Sequence, residues 1–190
     1  ALGHNPIQIL EELSKPQVIT NTATPNIAQA QFSEQLSKEI GNTNLNECPY
    51  TKWICLNSSS DTNSLALRIA NGHQYKNAVQ IHMKKSSFQQ TNKVSQLTES
   101  HIGEFHVPSP IETKKKIYNV SINNIEDLER TIWNIHNNNE FLELVIVEPV
   151  MHEQQPGISL TPEYYRHIRE TTSKLGSLLL VNSVQAGIRC

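Results

Sequence analysis

Two stretches decide how this chain folds: Leu142-Glu-Leu-Val-Ile-Val-Glu-Pro-Val150 ("LELVIVEPV") and Gly176-Ser-Leu-Leu-Leu-Val-Asn-Ser-Val-Gln-Ala-Gly187 ("GSLLLVNSVQAG"). Each is a short apolar run that turns abruptly polar, the pattern of a buried strand whose carboxyl end faces a ligand or solvent. Between them Thr161-Pro162 opens a helix, because proline at the first helical position lacks only an N–H that would be unpaired anyway. "EYYRHIRETTSKL" (163–175) continues it, and Gly176 stops it. From Val145 to Val181 the chain therefore reads as one complete β-α-β unit, which needs parallel strands and a right-handed crossover. The expected fold class is α/β, with a largely parallel sheet flanked by helices.

Further upstream, "NIEDLERTIWNIHNNN" (124–139) is an amphipathic helix with Ile125, Leu128, Ile132 and Ile135 on its buried stripe. "NAVQIHM" (77–83) alternates as a strand does. "NSSSDTNSLALRIANG" (57–72) is a serine-rich turn entering a helix that would bury Leu65 and Ile69 and stop near Gly72. "KWICL" (52–56) reads as a short strand. Asn26 can cap a helix from Ile27 to Gly41, with Ile27, Ala30, Leu36 and Ile40 near one face and Gly41 as its stop. A first helix follows the Gly3–Pro6 turn and ends before Pro16; residues 16–25 are extended or looped. Between Lys84 and Val120 no period is readable, Pro108 and Pro110 mark a loop, and Lys114–Lys116 read as a solvated loop.

The hydrophobic fraction of 37% and charged fraction of 18% are low for a globular domain, and Asn, Gln, Ser and Thr fill the gap. The apolar runs still argue for a folded chain. A net charge of −2 gives no case for nucleic acid or an acidic membrane. No apolar segment approaches the roughly 18 residues of a membrane span, and the first residues lack signal-peptide architecture. Cys48, Cys55 and Cys190 are odd in number and lack metal-ligand spacing. They point to a reducing intracellular compartment, cytoplasm or mitochondrial matrix, and to no metal site. The sequons at Asn57 and Asn119 are what chance gives in so Asn- and Ser-rich a chain.

Three polar clusters follow apolar runs: Asn57–Asp61, Glu148-Pro149 and Asn182–Gln185. In a parallel sheet such carboxyl ends share one edge, so the clusters are expected to converge. The first is the anion-site candidate, since small residues entering a helix offer free backbone N–H groups and the positive end of the dipole. A plain Ser/Asp cap needs no ligand, and the local stretch alone favours it.

The order of these motifs resembles the class III (ornithine/4-aminobutyrate type) aminotransferases, pyridoxal-phosphate enzymes of fold type I. Leu2-Gly-His-Asn-Pro6 matches their "N-L-G-H-x-H-P", one residue short. Asn57–Asn71 matches "N-S-G-A-E-A-N-E-A-A-L-K-L-A-R" without gaps. "VIVEPV" stands intact at Val145–Val150, and Gly176–Gly187 matches "G-x-L-L-I-x-D-E-V-Q-T-G". The resemblance spans nearly the whole chain. It implies an N-terminal segment, 1–50, leading into a partial large domain, 51–190, whose remainder and small domain lie elsewhere. Ser58, Ser59 and Ser60 would form the phosphate cradle, with Ser59 and Ser60 in place of the family's Gly-Ala. Phe88, in "SSFQQT", would stack on the cofactor ring, Val184 would pack on its other face, and Gln185 would bond its hydroxyl. Glu148 corresponds to the family's buried strand-end acid. Family enzymes are dimers with interfacial sites, which implies a homodimer or a place in a larger assembly.

The departures concern the chemistry. The family has aspartate at position 182, where a buried acid keeps the cofactor's ring nitrogen protonated so that the ring works as an electron sink. Asn182 has the shape without the charge. Losing one partner of a buried charge pair costs about 3–5 kcal/mol, which on a transition state is roughly a hundredfold to several-thousandfold in rate. Ser183 replaces a glutamate, Ser59 a glycine and Ala186 a threonine. The family's Schiff-base lysine falls downstream of the last motif, and Lys52, Lys76, Lys84 and Lys85 lie in unlike segments. No catalytic residue is therefore assigned. The expectation is a catalytically degenerate aminotransferase-like domain with a structural or interaction role. Two alternatives stay open: a fragment of an active transaminase moving an amino group from an amino acid or ω-amine to a 2-oxo acid, and a non-catalytic module holding a phosphorylated ligand at Ser58–Asp61.

Overall fold

The structure, a computed structural model, describes residues 4–15, 26–43, 47–56, 58–71, 77–84, 116–150, 157–184 and 186–187. The chain forms two compact units, residues 1–55 and 56–190.

In the first unit, α1 (Ile7–Leu13) and α2 (Ile27–Thr43) are helical. Asn26 caps α2 as expected, its Oδ1 accepting from Gln29 N–H at 2.8 Å. The expected stop at Gly41 is corrected, because α2 runs through it. The more buried positions are Ser33, Leu36, Ser37, Ile40 and Gly41, whereas Ile27 and Ala30 are exposed. The expected strand "KWICL" is also corrected: residues 51–56 carry no regular structure. A strand is held by its ladder partners, and this segment is instead anchored through Trp53. The indole Nε1 of Trp53 donates to Ser37 Oγ at 3.0 Å, and its ring meets Tyr50 edge-on at 5.7 Å.

In the second unit four described strands form an all-parallel sheet: β1 (Ala78–Met83), β2 (Lys116–Val120), β3 (Phe141–Val147) and β4 (Leu178–Val181). Their order is β2-β1-β3-β4. Helix α3 (Ser59–Asn71) precedes β1, α4 (Ile125–Asn137) joins β2 to β3, and α5 (Pro162–Leu175) joins β3 to β4. The α/β class is thus observed. Lys116 opens β2, so that part of the expected lysine loop is corrected: its ammonium pairs with Glu140 at 2.8 Å.

The helix boundaries follow local chemistry. Asn124 Oδ1 accepts from Asp127 N–H at 2.8 Å to start α4. Thr161 Oγ1 accepts from Tyr164 N–H at 3.2 Å to start α5, with Pro162 at the first helical position. Gly176 ends α5 in the left-handed conformation, φ +68°. Gly157 also has a positive φ, and the other described residues that do are all asparagines: Asn5, Asn77, Asn123 and Asn139. Asparagine tolerates it better than other residues with a Cβ, which gives one use to the chain's asparagine bias.

The main core lies on one face of the sheet. Val79, Ile81, Met83, Val120, Val145 and Val147 pack there with Leu128 and Ile135 of α4 and with Tyr164 and Ile168 of α5. Ile125 and Ile132 pack against this core, so the expected stripe of α4 is observed. The Tyr164 hydroxyl donates to Ser121 O at 3.3 Å, and burial pushes its pKa up. On the other face, Leu67 and Ala70 of α3 meet Leu144, Ile146 and Leu180. Ile69 is 57% exposed, correcting its expected place in the α3 interface; Asn63, Leu67 and Ala70 take the inner side.

Candidate functional site

Strand order locates the site. The chain leaves β1 toward β2 on one side and leaves β3 toward β4 on the other. Open α/β sheets bind ligands outside the carboxyl ends of strands at such a reversal. Here it falls between β1 and β3, whose next residues are Lys84 and Glu148.

Glu148 and Asn182 are brought together as expected. Glu148 is 2% exposed and Asn182 is 8% exposed. The backbone N–H of Asn182 donates to Val147 O at 2.8 Å, carrying the β3–β4 ladder one residue past β4. That register places the two side chains side by side, and Asn182 Nδ2 donates to Glu148 Oε1 at 3.2 Å. The amide oxygen accepts a longer bond, 3.4 Å, from Val184 N–H. Beyond it the chain turns sharply, Gly187 N–H donating to Ser183 O at 2.6 Å. A Cβ at Gly187 would lie 2.8 Å from that carbonyl oxygen, so the turn requires glycine there.

The other expected contacts divide. Val184 is half exposed. Phe88, Gln185 and Asn57 lie outside the described residues, as does the side chain of Ser60. At the start of α3, Ser58 and Asp61 bond each other: Asp61 N–H donates to Ser58 Oγ at 3.1 Å, and Ser58 Oγ–H donates to Asp61 Oδ2 at 2.8 Å. Thr62 N–H donates to Ser58 O. This is a self-contained cap, and it sets a carboxylate in the first helical turn, where an incoming phosphate would be repelled.

Two polar clusters in this unit went unread in the sequence. Asp127, in the first turn of α4, accepts from Ser121 N–H at 2.8 Å, Lys84 Nζ at 3.2 Å and Arg130 Nη2 at 2.5 Å. The backbone N–H of Ser121 does most to hold its carboxyl well below the usual carboxylate range, with help from Lys84 and Arg130. Lys84 is thereby tied to the ends of β2 and α4. On the opposite sheet face, His82 Nε2 lies 3.1 Å from Gln80 Oε1, and Gln80 Nε2 donates to Glu143 Oε1 at 3.0 Å. Burial lowers the His82 pKa to about 4, so its imidazole is neutral at pH 7. Polar residues inside apolar strands were the signal for this second cluster.

No protein-family model matches the chain. Among the described residues no group of three or more His, Cys, Asp or Glu is placed to hold a metal ion, and no helix is long and apolar enough to cross a membrane.

Proposed function

We propose that residues 51–190 form part of a catalytically degenerate aminotransferase-like domain of fold type I, with a structural or interaction role in a homodimer or larger assembly. The support is the motif order in the sequence together with the parallel α/β sheet and the buried polar pair at its carboxyl edge. Pyridoxal phosphate, when bound, supplies an electron sink through its protonated ring nitrogen. The Glu148–Asn182 pair fits the nitrogen end of such a ring, since it offers an acceptor oxygen beside a carboxylate. The α3 cap fits a phosphate poorly, because Ser58 Oγ already accepts from the Asp61 N–H and the Asp61 carboxylate adds negative charge. That weighs against the phosphate-holding module as an alternative.

The observation that carries the reading is the amide at 182, with its NH2 committed to Glu148. An amide orients a ring without supplying the charge that powers turnover. The test is a single-turnover assay: protein is incubated with pyridoxal phosphate and excess amino acid or ω-amine, and the cofactor spectrum is followed. The expected result is no amine-dependent conversion over hours, with a sedimentation mass twice that of one chain or more. Amine-dependent conversion at enzymatic rates would overturn the reading in favour of an active transaminase.

A further inference from the structure

We draw no further inference here: the strongest candidate, the apolar outer edge of β4 with Leu178 and Val181 exposed, carries nothing because nothing in the structure shows what covers it.

Discussion

Gln80 and Glu143 join β1 to β3 at the place where their pairing slips. Val79 opposes Leu142, Gln80 opposes Leu144, and Glu143 is the extra residue between, its Oε1 accepting from Gln80 Nε2 at 3.0 Å. Both side chains are buried. Gln80→Leu removes a buried partner from Glu143 and from His82, and is expected to cost about 1–3 kcal/mol. Urea unfolding measures this; an unchanged midpoint would show that the bulge holds without its side-chain bond.

His82 gives the fold a definite pH dependence. Its folded pKa, about 4, lies below the ordinary 6.5 because burial disfavours the charged ring. A base with a depressed folded pKa contributes stability that is fully present above 6.5 and is lost as the pH falls toward 4. The loss over that window is on the order of 3 kcal/mol. Urea midpoints measured from pH 7 to 4.5 should therefore fall in wild type and stay nearly flat in His82→Gln. Parallel falls would place the titrating group elsewhere.

Asp127 ties three elements by accepting from Ser121, Lys84 and Arg130. Asp127→Asn is expected to destabilise by about 1–3 kcal/mol, read by thermal melting, because the backbone N–H of Ser121 loses a charged acceptor. Lys84→Met should cost well under 1 kcal/mol, since the lysine is half exposed and water screens its pair. Its folded carboxyl pKa lies below the ordinary value, so the Asp127 contribution is present above about pH 4 and is lost at lower pH. It therefore falls outside the His82 window.

Gly187 faces the carbonyl of Ser183 at a distance that admits no Cβ. Gly187→Ala is expected to open the turn after β4 at a cost of about 1–3 kcal/mol, visible as a lower melting temperature and as displaced Asn182 side-chain amide resonances. An unchanged melt and spectrum would mean that the turn relaxes freely.

The second half of the sheet was legible in the residues. Apolar runs with β-α-β spacing marked β3 and β4, the Leu128/Ile135 stripe marked α4, and Thr161-Pro162 with Gly176 bounded α5. Each of these signals is local: a period, a cap, or a left-handed stop. Local signals also misled. "KWICL" has strand composition, yet a strand exists only where a ladder partner meets it. β2 escaped notice because its half-exposed residues, Lys116 to Asn119, blur the apolar alternation, and it is recognisable only by its pairing with β1.

What the sequence determined by itself is the parallel α/β class and the presence of an acid and an amide at two strand ends, because hydrophobic period and end caps are written residue by residue. What the tertiary structure decided is strand order, the slip at Glu143, and the 3.2 Å bond between Asn182 and Glu148. Those depend on register between strands far apart in the chain, where a shift of one residue turns a side chain to the other face. The direction of one buried amide is fixed only once that register is set.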